Sequence, residues 1–346
     1  TAGSYRLIDL GLADIDPLHQ AIDVTSQGGR VTVGAGQVVK ATADTATINL
    51  LSAAREPGKG GIAVDGKIMA EKGDVTLSTQ TGNMSVDGTV DAAGDVLAAN
   101  YGGNAWIGSG GTVRGGRSAF LESSGGSIGI DGKLLSDDAA FATSKNGTIT
   151  VNGTVDGKGA AMLDAARGIV VNGSVRSVGM AEGMAVLQAS GSGDIVLGRN
   201  AEVSGALGAV VKTENGDLIQ RSAPIVDASN RGYAKSESLR PVIAAENVIL
   251  DVNGNVAGDN GGSVTVDGTL AGIVSGNAKI AIGNGHDLVG GTKQDAARVV
   301  EGGGGFFSVD LSALGENSAM LIGGNLSLYT AGGIGSYTTF EAGGDA

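Results

Sequence analysis

The sequence contains no cysteine and only two histidines, His19 and His286, among its 346 residues. Without thiols the chain can form neither a disulfide framework nor a cysteine-zinc site. The histidines are far apart in sequence, and neither has a second histidine nearby to complete a metal site. No Gly-x-Ser-x-Gly elbow lies between a long strand and a helix. We therefore predict no resident cofactor and no enzyme activity.

Positive charge is also scarce, with 23 lysines and arginines against 36 acidic residues and a formal net charge of −13. Binding to nucleic acid needs a basic face that neutralises phosphates, and binding to an anionic membrane surface needs basic clusters. The sequence also lacks a run of roughly eighteen apolar residues that would span a bilayer. We expect neither a nucleic-acid partner nor membrane insertion.

The first residues, Thr1 to Leu7, lack the basic and apolar regions of a signal peptide. We therefore expect a mature protein or an excised segment of a longer one.

Aromatic residues make up 3% of the chain and prolines number 4, whereas glycines number 63. Apolar residues reach 41% and recur periodically, which disfavours disorder. So few rings favour a thin core of stacked small aliphatic side chains. The glycines mark corners between short strands, where we expect them to supply positive φ angles.

Residues 119–155 contain the same pattern twice, at an interval of twenty-one residues. Ala119, Phe120 and Leu121 align with residues 140–142, and residues 126–134 align with 147–155. Apolar residues alternate with polar ones, which indicates strands, and an Asp-Gly or Asn-Gly pair follows. Because only two or three strand residues follow that pair, a parallel coil fits better than a hairpin.

This strand-and-turn box recurs, with a degenerate copy at 106–113, as residues 31–34, 62–68, 84–90, 128–134, 149–155, 169–175, 195–199, 248–256, 264–270 and 280–284. The steps cluster at roughly 21–23 residues, as expected for a three-sided coil of short strands. We predict an all-β fold, a parallel β-helix, organised as one elongated solenoid.

Three regions depart from the repeat and define the predicted organisation. Residues 1–29 form one or more irregular N-terminal coils, and residues 30–220 form the regular β-helix. Residues 221–246 hold two of the four prolines and are predicted to form a loop that leaves the solenoid. Residues 247–346 continue the β-helix with looser C-terminal coils.

Residues 73–88, 193–197 and 331–336 carry a likeness to a known family. In these stretches the chain resembles filamentous haemagglutinin-like exoproteins, which Gram-negative bacteria export by two-partner secretion, and the resemblance covers most of residues 30–290. It implies a right-handed β-helix and a secreted or cell-surface location. It also implies roles in adhesion, biofilm formation, haemolysis or contact-dependent inhibition.

The leading hypothesis is therefore a non-enzymatic extracellular structural or adhesive rod. The expected partners are further copies or coils joined end to end, a host-cell or matrix receptor or glycan, and an outer-membrane secretion partner. The family's N-terminal secretion domain carries Asn-Pro-Asn motifs, and this sequence contains none. We therefore expect that domain to be absent, which leaves the secretion route open, and autotransporter passengers share the fold.

Two groups of residues are candidates for binding. Trp106, with Tyr101 nearby, offers the flat rings that carbohydrate recognition often uses. The basic residues of the predicted loop, Arg231, Lys235 and Arg240, form the second group.

Two alternative functions stay open. Aspartates and asparagines recur at one corner (Asp65, Asp87, Asp131, Asn152, Asn172 and Asp267), as a polysaccharide-active enzyme would need, although turn chemistry explains them as well. Residues 283–289 match the core of a calcium-binding nonapeptide, with Asp287 as the candidate ligand. That single copy leaves open a calcium-stabilised toxin or surface-layer segment.

Overall fold

Short strands and tight corners alternate along the chain, as the repeat predicts. The computed structural model describes residues 22–198 and 200–216 with their side chains, and outside these ranges only the backbone of the strands named below. The described part contains no helix and forms a parallel β-solenoid of about 8 turns. The predicted fold class is confirmed. The chain divides into two units, residues 1–167 with 175–183 and residues 168–174 with 184–346.

In the first unit each coil contributes three strands, and strands stack in parallel on those of neighbouring coils. We call the three stacks faces 1, 2 and 3 in the order in which the chain visits them. Face 1 contains Tyr5–Arg6, Val31–Val33, Gly61–Val64, Asn83–Val86, Ala105–Ile107, Ile128–Ile130 and Ile149–Val151. Face 2 contains Val38–Ala41, Lys67–Ala70, Thr89–Ala92, Thr112–Gly115, Lys133–Ser136 and Thr154–Gly157. Face 3 contains Ala21–Ser26, Thr47–Ser52, Val75–Thr79, Val96–Asn100, Ser118–Ser123, Ala139–Ser144 and Ala160–Ala165.

The second unit has two rows of parallel strands. One row contains Ile169–Val171, Ile195–Leu197, Leu218–Arg221, Val256–Asp259 and Ile280–Ala281. The other contains Met184–Ala189, Glu202–Thr213, Ile243–Val252, Val264–Val266 and Leu270–Val274. A separate three-stranded parallel sheet contains Leu288–Val289, Ala319–Ile322 and Thr339–Ala342. Of the strand Ser174–Ser177, Ser174 belongs to the second unit and the other residues to the first.

The core is a column of aliphatic side chains inside the coils. Strand Val75–Thr79 alternates buried and half-buried residues, and most strands repeat this pattern because successive side chains point to opposite sides. The buried hydrophobic residues of the described part are valine, isoleucine, leucine, alanine and Met84, and none is aromatic. The scarcity of aromatic residues thus correctly predicted a core too narrow for rings.

The predicted repeat length holds in the middle of the first unit. Met84 pairs with Ala105, Ala105 with Ile128, and Ile128 with Ile149, so each of these coils has the length that the boxes predict. The coil from Val31 to its partner Ile62 is longer, because the chain makes a wider turn after Thr47–Ser52. Extra residues enter at corners, where they leave the stacked strands undisturbed.

Two boxes predicted in the second unit were assigned to the wrong strands. Residues 248–252 pair with residues 209–213, while Val256 pairs with Leu218, in the row that contains Ile195–Leu197. In the regular boxes the first three residues form the strand of that row, so the predicted box had placed residues 248–250 there instead. Val264–Val266 likewise pairs with residues 243–245. The assignment failed because an Asn-Gly or Asp-Gly pair can occupy more than one corner and does not identify it.

Most of the predicted loop at 221–246 lies outside the described residues. Arg221 ends one strand, and Ile243 begins the next. Leu218 pairs with Val256, so this coil is longer than the regular repeat, and the residues between its strands Leu218–Arg221 and Ile243–Val252 lie outside the described part. Of the predicted irregular coil at 1–29, residues 1–4 and 7–20 also lie outside the described part.

Candidate functional site

The corner between faces 1 and 2 links successive coils through the backbone. Asp87 N and Gly88 N both donate hydrogen bonds to Val64 O, at 2.9 and 2.8 Å. A Cβ on Gly88 would lie 1.9 Å from the carbonyl oxygen of Gly66 in the preceding coil. Glycine is therefore required here because stacked backbone occupies the space of a side chain.

The predicted reason for these corner glycines was wrong. Within the described residues, the glycines with positive φ are Gly36, Gly58, Gly61, Gly82 and Gly168. Gly88 and its equivalents in the other Asp-Gly and Asn-Gly pairs are not among them. Their role is to permit close approach of backbones, and freedom of φ is not what these corners use.

The aspartates predicted to form a ladder do occupy this corner in the first unit. Asp65, Asp87 and Asp131 take equivalent positions, and Gly108 takes that position in the coil between the last two. Asn152 Nδ2 donates to Asp131 Oδ1 at 2.7 Å. The Asp87 carboxylate leans over Gly108, where a Cβ would lie 1.9 Å from Asp87 Oδ1. The side chains thus lie along the stack, from one coil toward the next.

Of the other predicted members, Asn172 holds the same kind of position in the second unit: it follows strand Ile169–Val171, and its Oδ1 lies 2.1 Å from the position of a Cβ on Gly198. Asp267 lies outside the described residues. Across the part of the chain that the structure describes, no three histidine, cysteine or acidic residues group closely enough to hold a metal ion.

A row of amide and hydroxyl side chains borders the other side of face 1. Asn83 Oδ1 accepts a hydrogen bond from Asn104 N at 3.0 Å, and Asn104 Oδ1 accepts one from Ser127 N at 2.8 Å. Ser127 Oγ accepts the next from Thr148 N at 3.1 Å. Each side chain therefore fixes the entry of the following coil into face 1.

Trp106 lies between this row and the aspartate corner, on the outer surface of face 1. It pairs with Gly129 of the next coil. A Cβ on Gly129 would lie 2.3 and 2.4 Å from Cε3 and Cζ3 of the Trp106 ring. The indole therefore lies over Gly129, and 44% of Trp106 stays exposed. Face 1 thus carries an exposed ring supported by a rigid sheet.

The other predicted binding residues are not brought to this ring. Tyr101, 49% exposed, lies in the corner after face 3. Within the described residues the only contact between aromatic rings joins Phe120 and Phe141. Arg231, Lys235, Arg240 and Asp287 lie outside the described residues, as do both histidines.

Those two rings belong to an apolar column on face 3 that sequence reasoning overlooked. Leu97 pairs with Phe120, Phe120 with Phe141, and Phe141 with Met162 on consecutive coils. The phenyl rings stack with centroids 5.0 Å apart and planes inclined by 11°. The signal was present in the twenty-one-residue repeat, which aligns Phe120 with Phe141.

A buried polar column at the end of face 3 was also overlooked. Its members are Ser26, Ser52, Thr79, Asn100, Ser123 and Ser144, all less than 2% exposed. Asn100 donates to Asn104 O and accepts from Gly102 N and Gly103 N. Such side chains supply hydrogen-bond partners to backbone groups of the corner. Their sequence signal is a hydroxyl or amide residue before each glycine-rich turn.

Charged side chains on the outer surface pair between coils. Asp137 accepts from Arg114 of the preceding coil at 2.7 Å and pairs with Lys158 of the following coil at 2.7 Å. Hydrogen bonding to Lys158, with help from Arg114, lowers the pKa of Asp137. Lys145 lowers the pKa of Glu122 in the same way. Burial instead raises the pKa of Asp156, against the attraction of Arg176 and Lys158.

No described segment is a helix able to cross a membrane. No protein-family model, curated protein or solved structure matches the chain.

Proposed function

We propose that this chain is a non-enzymatic structural and adhesive segment of a bacterial cell-surface or secreted protein. The observation that carries the proposal is how the solenoid uses its polar groups. In the described residues, one coil is joined to the next by three sets of polar groups: the rows of Asn, Ser and Thr, the Asp-Gly corners, and many of the charged residues. The exposed apolar residues Leu97, Trp106 and Phe120 lie on the outside of the strands.

Such a separation, with polar groups joining the coils and exposed apolar side chains outside, suits a protein that presents a binding surface to a partner. The inward positions and corners hold the stack, so outward positions can vary without loss of the fold. Parallel backbone pairing on both sides of each inner coil keeps the presented side chains at fixed spacing. An adhesive protein benefits from this rigidity, because ordered contact residues lose little conformational entropy on binding.

The cellular setting of the proposal comes from the resemblance to two-partner exoproteins. In that setting the partners are a host-cell or matrix receptor or glycan, an outer-membrane secretion partner, and further coils joined end to end. A parallel solenoid exposes unpaired backbone groups at an uncovered end, which favours continuation into another coil.

One observation favours a second candidate function, cleavage of a polysaccharide. Asp65 and Asp87 occupy the same corner of adjacent coils, whose backbones lie about 4.8 Å apart along the stack. Retaining glycosidases use two carboxylates that lie close together. Their role in the corner itself, where both residues donate backbone hydrogen bonds to the preceding coil, favours the structural interpretation.

The deciding experiment combines adhesion and hydrolysis. Beads coated with the purified chain are tested on matrix-coated and cell-coated surfaces, and the soluble chain is incubated with a polysaccharide panel while reducing ends are measured. We expect bead retention above that of albumin-coated beads and no release of reducing ends. Release that disappears in both Asp65→Asn and Asp87→Asn would establish the enzyme instead.

Electron microscopy of the chain with and without a calcium chelator tests the assembly and calcium alternatives. End-to-end assemblies that resist chelation support the structural proposal. Collapse on chelation would favour a calcium-stabilised segment.

A further inference from the structure

We infer that the outer surface of face 1 around Trp106 binds an uncharged sugar ring of a glycan. The inference rests on the adhesive function proposed above, and it names the class of ligand and the residues that contact it. We call this surface the Trp106 platform. It consists of Trp106 over Gly129, with Asn83 and Asn104 on one side and Asp87 and Asp131 on the other.

The ring is held open toward solvent by its neighbour on the next coil. Gly129 has no side chain, and the three atoms nearest to the position of its Cβ all belong to the Trp106 ring. One side of the benzo ring therefore rests on the sheet, and the other side is left for a ligand. The apolar C–H face of a sugar ring packs against such a surface, because it buries apolar area without breaking hydrogen bonds.

Hydrogen-bond donors flank the ring on one side. Asn104 directly precedes the strand Ala105–Ile107 and is exposed, so it lies on the outside with Trp106, about 7 Å from it along the chain. Asn83 and Asn104 are exposed, and each uses its Oδ1 to accept a backbone N–H of the next coil. This contact fixes the amide orientation, and it leaves the Nδ2 groups available to a ligand.

Hydrogen-bond acceptors flank the ring on the opposite side. Asp87 is exposed, and its carboxylate leans over Gly108, two residues after Trp106. Asp131 lies one coil after Gly108, and Asn152 Nδ2 donates to Asp131 Oδ1 at 2.7 Å. Sugar hydroxyls both donate and accept hydrogen bonds, so donors on one side and acceptors on the other match the rim of a sugar.

The negative charge around the platform narrows the class of sugar that it can bind. The carboxylates of Asp87 and Asp131 repel a uronate or a sulfated sugar, and the chain as a whole carries a net charge of −13. The platform therefore suits neutral hexoses in preference to acidic polysaccharides.

The Phe120 and Phe141 rings on face 3 do not offer the same surface. They stack on each other along the solenoid, with Leu97 and Met162 in register on either side. The two ring faces that meet in this stack are not available to a ligand. The two phenylalanines provide a matched control for Trp106.

Trp106 is the only tryptophan of the chain, so intrinsic fluorescence reports on this platform alone. The full chain is titrated with neutral oligosaccharides (cello-, malto-, chito-, manno- and galacto-oligomers) and, for comparison, with oligogalacturonate. We expect at least one neutral series to change the emission saturably, with a dissociation constant on the order of 1 mM or below, and oligogalacturonate to bind at least about tenfold more weakly. No saturable change with any neutral series would overturn the inference.

Three variants locate the binding. Gly129→Ala retains the tryptophan but displaces its ring, and we expect binding to weaken about tenfold, the equivalent of losing one good aromatic contact. Trp106→Ala should abolish binding, measured by saturation-transfer NMR on the sugar. Phe120→Ala should bind as the parent does, and circular dichroism checks that each variant retains its β-structure.

The outcomes separate this inference from the adhesive function. Bead adhesion that survives Trp106→Ala, with sugar binding also unchanged, would refute the platform and leave adhesion intact. Sugar binding that depends on Trp106 in a chain whose beads do not adhere would support the platform and refute the adhesive function.

Discussion

Trp106 on face 1 and Phe120 on face 3 are exposed aromatic residues of the same coil, 44% and 37% accessible, yet they present different surfaces. Trp106 meets Gly129 on the next coil, and its ring lies on the sheet. Phe120 meets Phe141, and the two rings stack along the solenoid. In a parallel solenoid the residue one coil further along the chain therefore decides what an exposed side chain presents.

The role of a glycine likewise depends on what lies next to it on the adjacent coil. Gly129 makes room for a side chain, whereas Gly88 makes room for the backbone of the preceding coil. A side chain can move away from a new methyl group, but two hydrogen-bonded strands cannot separate without losing their pairing. The two glycines should therefore respond differently to the same substitution.

The largest effect is expected for Gly88→Ala. Its Cβ would lie 1.9 Å from Gly66 O, so the coils must shift apart, and the free energy of unfolding should fall by about 3 kcal/mol or more. Gly129→Ala is the matched control, and it should change that free energy by less than about 1 kcal/mol, since alanine also restricts the unfolded chain. Urea denaturation measures both, and equal losses would contradict the distinction between them.

A somewhat smaller effect is expected for Asn100→Ala in the buried polar column. The substitution leaves Gly102 N and Gly103 N without their partner and removes one of the two hydrogen bonds that Asn104 O accepts, the other coming from Met84 N, which should cost about 2–3 kcal/mol. Because these groups shape the corner that leads to Asn104 and Trp106, the emission of Trp106 in the folded variant should shift as well. Gln80→Ala, at an exposed position of the equivalent corner, serves as the control. An unchanged unfolding free energy would show that water satisfies the corner.

The stacked phenylalanines should be coupled energetically. A double-mutant cycle of Phe120→Ala and Phe141→Ala should give a coupling of about 0.5–1.5 kcal/mol. The matched cycle of Trp106→Ala and Phe141→Ala, on different faces, should be additive within about 0.5 kcal/mol. Equal couplings in the two cycles would contradict the idea that contacts along one column carry the interaction.

The smallest effects on stability are expected when a charged side chain is neutralised, and Asp137→Asn and Asp156→Asn should change stability in opposite directions. Because partners on adjacent coils lower the pKa of Asp137, its stabilising contribution is present above the unfolded pKa of about 3.9 and is lost as the pH falls through the folded value. Asp137→Asn should therefore lower the midpoint of thermal unfolding at pH 7, by an amount worth less than about 1 kcal/mol at this exposed site.

Burial raises the pKa of Asp156, so its ionised form destabilises the folded state above the folded pKa, and protonation relieves this as the pH falls. Asp156→Asn should raise the unfolding midpoint at pH 7, and the gain should disappear as the pH approaches about 3.9. A loss of stability at pH 7 would mean that attraction to Arg176 and Lys158 outweighs burial.

The sequence predicted the fold well because its signals are local. The alternation of apolar residues and the regular spacing of the boxes define strands and coils, and the buried positions from Ile62 to Leu163 follow that pattern. Predictions failed where the same short motif occurs at more than one kind of corner. Asn253-Gly254 and Asp267-Gly268 matched the box, but the adjoining strands occupy other positions in the stack.

The candidate site was predicted only in part. The residue type drew attention to Trp106, but its partner Gly129 lies a full coil away along the chain and belongs to a strand with no other distinguishing mark. The polar column from Ser26 to Ser144 was overlooked because serine before a glycine-rich turn is typical of any loop. Its burial becomes apparent only when the corners are stacked.

The amino-acid sequence alone thus determined the parallel coils, their approximate length and their aliphatic interior, since these depend on periodicity and residue size along the chain. Only the tertiary structure decided which side chains meet across coils: Trp106 over Gly129, Phe120 against Phe141, Asn152 on Asp131. Those contacts depend on register, and each corner can add or remove residues. A shift of one residue would turn every outward side chain toward the core.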